Sequence, residues 1–454
     1  MRFHFIGVGG SGMSAVARLV AARGVTVTGT DKKRSAYFSA LEAAGVDVRV
    51  GHDPDLVVGA DVVVISTAVR ESNPELERAR SLGIDVWHRS EALAWALAGK
   101  RLVSVAGSHG KTTTSALVAH VLHTCGVDAS YAVGARVYGV EGAVAGGYGG
   151  SAMEAVVEAD ESDGSFMRYD TAIAIVLNVE SDHLDFYGSF EAVERAFVDF
   201  ASKAPVVIAC ADDAGSARVA DAAEAAGSRV IRYAASSLRT PAKLADVQVD
   251  VDSVTWGDVS VPLMVPIPGA HQRLNAAAAW AAVVELGVEP GRAAAAIASF
   301  AGTGRRFELR GEVDGVRVID DYAHHPTEVA AVLAAARSAG AGRLVVLFQP
   351  ALFTRTQALG AEFGRALSID DAALILAPVH GDREDPIPGV SSQLIADAVT
   401  LGFGTTLELA DDLADAASRA AAAARPGDTI MTIGSGTVTE AAGWIVSALE
   451  ARRG

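Results

Sequence analysis

Short apolar runs alternate with helix-length stretches along the chain. The run Phe3–Ile6 passes through a glycine loop into a stretch of helical length, Gly12–Arg23, and then into a second run, Val25–Thr30. Alternation of strand and helix predicts a parallel, doubly wound sheet. The pattern continues through Asp61–Thr67 and ends near Gly99-Lys100. It then restarts with a strand at Arg101–Ala106, a loop at Gly107–Gly110 and a helix from Lys111 to about Cys125, which predicts a second domain. Within that block Ala155–Glu158 and Ile173–Asn178 are nearly continuous apolar runs, as expected of strands buried on both faces. Residues Glu141–Ser151 hold five glycines and read as a surface loop, whereas Ala211–Pro268 reads as further α/β structure or a small β excursion. Alanine-rich helices at Leu274–Leu286 and Gly291–Phe300 precede Gly302-Thr303-Gly304, a flexible joint. Strands near Val316–Asp320, Leu344–Phe348, Ala373–Ala377 and Thr429–Ile433 follow it. The fold class expected is α/β in three domains, 1–99, 100–304 and 305–454, in keeping with a length of 454 residues at about 150 per domain.

Composition narrows the function. The longest purely apolar run, Ala276–Val284, has nine residues, far short of the ~20 that cross a bilayer. The first residues run straight into the glycine loop and leave no room for the apolar core of a signal peptide, so a cytoplasmic location is expected. Two cysteines, Cys125 and Cys210, make neither a disulfide framework nor a zinc site. With 38 Lys+Arg against 55 Asp+Glu, the net charge of −17 repels a polyphosphate backbone, and no nucleic-acid partner is expected.

Several motifs carry chemistry. Gly107-Ser108-His109-Gly110-Lys111-Thr112 stands where a strand passes into a helix, so backbone N–H groups and the helix N-terminus converge on one point, a geometry that binds phosphate. Lys111 would neutralise the β/γ-phosphates and Thr112 would offer its hydroxyl to Mg²⁺. Val105 replaces the first glycine of the general pattern. Glu158 closes an apolar strand beside this loop and is placed to hold Mg²⁺, a hard ion that prefers oxygen. Asp160, Glu161 and Asp163 read instead as a solvated acidic turn. Asn178 to His183 end the next strand at the same sheet edge, with His183 either a metal ligand or a polar strand cap. Asp320-Asp321 and His324-His325 flank Tyr322 before a helix start near Pro326, and Arg305-Arg306 would either clamp phosphate or face solvent. At the N-terminus Gly7-x-Gly9-x-x-Gly12 with Asp31 has the spacing of a dinucleotide site. Those glycines report pyrophosphate rather than nicotinamide, and an NAD(P)-dependent oxidoreductase remains the alternative from another class.

Together these motifs, with Gly302-Thr303-Gly304-Arg305-Arg306-Phe307 and Asp320 through Val329, resemble the Mur ligase family in its alanine-adding branch, over essentially the whole chain. The resemblance implies an N-terminal Rossmann-like domain for UDP, a central P-loop-type ATPase domain, and a C-terminal Rossmann-like domain that closes on ATP and binds the amino acid. It implies ATP-dependent ligation of L-alanine to the lactyl carboxylate of UDP-N-acetylmuramate through an acyl phosphate, with ATP and Mg²⁺ required, in peptidoglycan precursor synthesis by a monomer or weak dimer. By the same resemblance Thr112, Glu158 and His183 are the metal ligands; Lys111, His183 and Arg306 are catalytic; and Gly107, Ser108, His109, Gly110, Lys111, Thr112, Thr113, Asn275, Arg306 and Asp321 bind ATP. Gly9, Gly10, Ser11, Gly12, Met13, Asp31, Ser66 and Thr67 would hold the UDP-sugar, and Tyr322, His324 and Arg355 the amino acid. Where later members carry a carbamylated lysine this chain has Val198. It departs from the family at Ala351-Leu352, usually a histidine and often a basic residue, at Gln272, usually Asn, and at Thr437, usually Asp. Two of these departures lie where the amino acid is expected, so a ligase that adds a different amino acid or peptide to a UDP-sugar is the second reading.

Overall fold

A computed structural model describes residues 1–140, 143, 146–162, 164–182, 184–235, 245–381 and 384–452. The chain divides into two compact units. One holds 1–266 and 272–303, and the other 267–271 and 304–454.

The first unit contains two sheets. Strands β1 (Arg2–Ile6), β2 (Thr26–Asp31), β3 (Asp47–Val50), β4 (Val62–Ile65) and β5 (Asp85–His88) form a parallel sheet in the order β3-β2-β1-β4-β5. The order reverses beside β1, and at such a switch point the loops at the strands' C-terminal ends part to leave a crevice. The second sheet runs through β6 (Arg101–Ala106), β7 (Ser130–Ala132), β8 (Gly147–Tyr148), β9 (Glu154–Glu158), β10 (Thr171–Val176), β11 (Val206–Cys210), β12 (Arg229–Ala235), β13 (Val247–Val249), β14 (Ser253–Trp256) and β15 (Val259–Pro262). Their order is β15-β14-β13-β12-β11-β10-β6-β9-β7-β8, with β6, the strand before the phosphate-type loop, flanked by β9 and β10. Residues 211–268 supply both expected alternatives: a helix and β12 continue the parallel sheet, and β14 and β15 extend it antiparallel.

The glycines near residue 146 correct the expectation of a surface loop. Gly147-Tyr148 pairs antiparallel with β7. A Cβ on Gly147 would come 2.5 Å from Ala15 Cα, and one on Gly150 2.1 Å from Asp128 O. Glycine is there because backbone packs on backbone; residues 141, 142, 144 and 145 lie outside the described residues. The apolar stretch at 276 is a buried helix, Ala270–Glu285, with Ala276 through Val283 fully buried. Among the described residues no helix is long and apolar enough to cross a membrane.

The second unit carries β16 (Glu308–Val313), β17 (Val316–Asp321), β18 (Leu344–Phe348), β19 (Ala372–Leu376), β20 (Thr406–Leu409) and β21 (Thr429–Ile433), ordered β16-β17-β21-β18-β19-β20. Only β16 runs antiparallel to its neighbour. The apolar residues of the central strands pack on helices through two cores, one on Val318, Val345 and Ile430, the other on Val346, Phe348 and Met431.

Candidate active site

The N-terminal loop is built by hydrogen bonds to the end of β2. Gly7 turns at φ +81°, and the N–H groups of Gly7 and Val8 donate to the Thr30 carbonyl at 2.8 and 2.9 Å. Asp31 accepts from the Gly9 N–H at 2.9 Å, and the Ser35 hydroxyl donates to the Gly9 carbonyl at 2.7 Å. A Cβ at Gly9 would lie 3.0 Å from the Asp31 carboxylate, so this approach needs glycine. The helix Ser11–Ala22 follows from Gly10 with no side-chain cap and no acid in its first turn, which leaves its positive end without a negative side chain of its own. Ser66 and Thr67 stand just beyond β4, next to β1. Met13, expected at the pyrophosphate, has its side chain in the hydrophobic core at 4% exposure. Helical periodicity turns that position inward, so only its backbone faces the loop.

The second loop repeats the plan with different partners. Gly107 and Gly110 take φ of +148° and +87°. Ser108 N–H donates to the Asn178 carbonyl at 3.1 Å, and His109 N–H to Asn178 Oδ1 at 2.7 Å. Asn178 Nδ2 donates back to the His109 carbonyl at 3.0 Å, and Glu180 N–H to Ser108 Oγ at 2.9 Å. The loop is thus fastened to the chain leaving β10. Helix Lys111–Thr124, which carries Thr112 and Thr113, again starts without a side-chain cap or an acid in its first turn. A Cβ on Gly110 would sit 2.7 Å from Asn275 Oδ1, which places Asn275 against the loop. Its Nδ2 donates to Gln272 Oε1 at 3.1 Å, so the Gln272 departure acts as a hydrogen-bond acceptor.

The acidic turn after β9 is where the sequence reading needs correction. Glu161 is not solvated but 1% exposed, and both its oxygens accept from Lys111 Nζ, at 2.8 and 2.9 Å. Lys111 also donates to the Gly107 carbonyl at 2.7 Å. Burial alone would lower the lysine pKa, but the charges of Glu161, Asp160 and Glu158 outweigh it and raise the value, so Lys111 is held as a cation. Burial likewise pushes the Asp160 carboxyl up, and Lys111, the Ser162 N–H and hydroxyl, and Arg89 more than reverse it. Glu158 ends β9 opposite Val105 of β6, and a Cβ on Gly134 would lie 2.8 Å from its Oε2. The Thr112 hydroxyl and the Glu158 carboxylate are hard oxygen donors suited to Mg²⁺. His183 and Asp163 lie outside the described residues.

Beside the start of the first helix lies a cavity of about 90 Å³ whose lining includes Gly12, Arg89, Gly134, Glu158, Asp160 and Tyr169. Sequence reasoning missed Arg89 and Gly134, which belong to no motif. It misjudged Glu161, because nothing local told that a lysine fifty residues away would meet it. Asn178 was legible only as the end of a strand.

In the second unit, Arg305 does not face solvent. It donates to the carbonyls of Gly434, Ser435 and Gly436 at 2.5, 3.4 and 3.2 Å, and its Nε lies 3.3 Å from buried Asp320. Arg306 lies over the Tyr322 ring at 5.1 Å and 4.0 Å from Glu328. Asp321 accepts from the Phe307 and Ala323 N–H groups, both at 2.8 Å. Burial raises its pKa to about 6 against the pull of Arg306 and those N–H groups. His324 packs edge-on to Tyr322, donates from Nδ1 to the Tyr322 carbonyl at 3.1 Å, and lies 3.3 Å from Glu328. Burial, with Arg355 and Arg306 nearby, lowers its pKa to about 4 despite Glu328, so the ring is neutral at pH 7. Tyr322, His324, Arg306 and Asp321 therefore form one cluster after β17, with Arg355 on the helix Phe353–Ala366 after β18. Leu352, one of the departures, caps that helix at φ +72°.

Family models account for this arrangement. Residues 2–101 match the Mur ligase family catalytic domain, 105–283 the Mur ligase middle domain, and 305–436 the Mur ligase glutamate ligase domain. The chain is 49% identical to a UDP-N-acetylmuramate–L-alanine ligase of Paenarthrobacter aurescens, over 99% of this chain and 97% of that protein. It is 47% identical to one of Renibacterium salmoninarum, over 99% and 96%. The crystal structure of a UDP-N-acetylmuramate–alanine ligase from Thermotoga maritima superposes with a TM-score of 0.80 at 25% identity, covering 100% of both chains. Two glycine loops on adjoining sheets, a lysine and an acidic turn between them, and a match along the entire chain lead to one conclusion: this chain belongs to the Mur ligase family.

Proposed function

We propose that the chain joins L-alanine to the lactyl carboxylate of UDP-N-acetylmuramate at the expense of ATP, yielding UDP-N-acetylmuramoyl-L-alanine, ADP and phosphate for peptidoglycan precursor synthesis in the cytoplasm. The observation that carries this reading is the pair of uncapped helix N-termini, after Gly10 and Gly110, flanking one acidic turn within a single compact unit. Each is a ready acceptor of phosphate oxygens; the UDP-sugar brings a diphosphate to one and ATP a triphosphate to the other.

A free carboxylate resists attack by an amine because it would have to expel an oxide ion. Transfer of the γ-phosphoryl group to the lactyl oxygen gives an acyl phosphate; the alanine nitrogen then attacks its carbonyl carbon, and the tetrahedral intermediate collapses with phosphate taking the electrons of the breaking C–O bond. The protein's part is positioning and charge neutralisation. Residues 107–113 wrap the ATP phosphates with backbone N–H groups, and Lys111 exchanges a carboxylate of Glu161 for the γ-phosphoryl oxygens. Asn275 faces the adenine, Asp321 the ribose, and Arg306 the transferring phosphate. Thr112, Glu158 and His183 would hold Mg²⁺, which would supply screening of the phosphate charges. Gly9 through Met13, with Asp31, Ser66 and Thr67, hold the UDP-sugar. Tyr322, neutral His324 and Arg355 receive alanine, with Arg355 facing its carboxylate. Residues 1–99, 100–304 and 305–454 divide these tasks.

The test is phosphate release from a mixture of UDP-N-acetylmuramate, ATP, Mg²⁺ and L-alanine. Release is expected only with all four present, and turnover indifferent to the sugar refutes the reading. Ala351-Leu352, where the family usually has a histidine and often a basic residue, is the ground for the second reading, a ligase that adds a different amino acid or peptide. A panel of amino acids in the same assay decides it.

A further inference from the structure

We propose that Arg305 is a positioning residue for the reaction: its guanidinium locks the backbone turn that aims Arg306, and it acts through that geometry rather than by touching a substrate. The proposal deepens the function given above and rests on it, because Arg306 is the arginine assigned there to the transferring phosphate. Arg305 and Phe307 both lie in the left-handed region, at φ +59° and +52°, so Arg306 stands between two strained residues. Such strain persists only where the surroundings over-determine it, and it gathers at functional sites. Here the Arg305 N–H donates to Glu308 Oε2 at 2.7 Å, and the Arg305 carbonyl accepts from the Tyr322 N–H at 2.8 Å. Asp321 holds the Phe307 N–H. Glycine would make the same turn without strain, as Gly302 does at φ +89°, so the arginine is there for its side chain. Its guanidinium spans the carbonyls of Gly434, Ser435 and Gly436, which lead into the helix Val438–Ala451. Asp320, wholly buried, matches its charge at 3.3 Å and also accepts from the hydroxyls of Thr432 and Thr439 at 2.7 and 2.8 Å. The turn is thereby tied at once to the end of β17 and to the loop after β21. With its donors facing carbonyls and a carboxylate, Arg305 is committed within the fold and is not offered to a phosphate. Both guanidinium groups lie over the Tyr322 ring, at 4.8 Å for Arg305 and 5.1 Å for Arg306, so a shift of the first disturbs the platform on which the second rests.

The experiment measures phosphate release by the full chain with UDP-N-acetylmuramate, ATP, Mg²⁺ and L-alanine, with each rate expressed per folded molecule from circular dichroism. Arg305→Gly keeps the left-handed turn and removes the fork, so it should fold and yet turn over about 10- to 100-fold more slowly, the effect of a misplaced group. Arg305→Lys, a point charge that does not span three carbonyls, should recover little of that loss. The double variant Arg305→Gly with Arg306→Ala should be no slower than Arg306→Ala alone, because both changes remove the same contribution. A purely structural role would leave Arg305→Gly at the normal rate per folded molecule, and that result overturns the proposal. Full recovery in Arg305→Lys overturns it too. So does a double variant slowed by the product of the two single losses, since Arg305 would then act independently of Arg306. If the unaltered chain releases no phosphate from the complete mixture, the failure is that of the ligase reading itself.

Discussion

The two glycine loops of the first unit have the same architecture and opposite ways of acquiring charge. Both follow a central parallel strand, both are held by a side chain from a neighbouring strand end, Asp31 for one and Asn178 for the other, and both open an uncapped helix. In the second loop the cation, Lys111, is the next residue of the chain. In the first, a cation at the helix start is Arg89, seventy-seven residues beyond Gly12 in sequence. The local lysine is clamped by a buried carboxylate, while the distant arginine is only loosely countered. A charge built into the motif sits deep and needs a resident partner until substrate arrives, whereas one borrowed across the fold can stay half in solvent.

Replacing each part tests this contrast. Lys111→Ala should lower the rate of phosphate release by about 10²–10³-fold, the effect of removing one preorganised charge-stabilising donor; near-normal turnover would remove the lysine from the reaction. Glu161→Gln should cost about 3 kcal/mol of stability in denaturant unfolding, because it leaves a mostly buried ammonium without its counter-charge. Asp160→Asn, which removes a part-exposed carboxylate 3.9 Å from Arg89 and more distant than Glu161 from Lys111, should cost less, about 1 kcal/mol. The N-cap glycines should separate as well. Gly110→Ala forces φ +87° on a residue with a side chain and brings its Cβ against Asn275, for about 1–2 kcal/mol. Gly10→Ala, at φ −75° with its nearest neighbour 3.7 Å away, should change thermal stability by less than about 1 kcal/mol.

The smallest effect concerns pH. Asp160 has a folded pKa below its ordinary value of 3.8, with burial opposing and Lys111 the leading favourable cause ahead of Arg89. Its contribution to stability is complete above 3.8 and disappears as pH falls through the lower folded value. In acid titrations followed by circular dichroism, Lys111→Ala should flatten this loss more than Arg89→Gln does. Equal flattening would break the distinction between the two cations.

Much of the fold was legible because buried parallel strands are continuous apolar runs. Arg101–Ala106 and Ala155–Glu158, read as strands, lie side by side as β6 and β9. The edge strands were not: β16, Glu308–Val313, alternates charge with small and apolar residues, and β8 is two residues long. The glycines at 146–150 misled because exposure and close backbone packing both demand glycine, and sequence does not distinguish them. At the candidate site, Lys111 and Thr112 were read from the loop motif, Glu158 from its strand end and Asn275 from the family resemblance, but the environment of Glu161 was not legible, since burial is a property of the surrounding fold.

The sequence by itself determined the alternation of buried strands and helices, both loops, and the family, because these depend on local conformational preference and on motifs a few residues long. Tertiary structure decided which charges meet: Glu161 with Lys111, Arg305 with the 434–436 carbonyls, Arg89 with the start of the first helix. Those pairings depend on strand order and helix docking. Electrostatic energy falls with distance in space rather than separation along the chain.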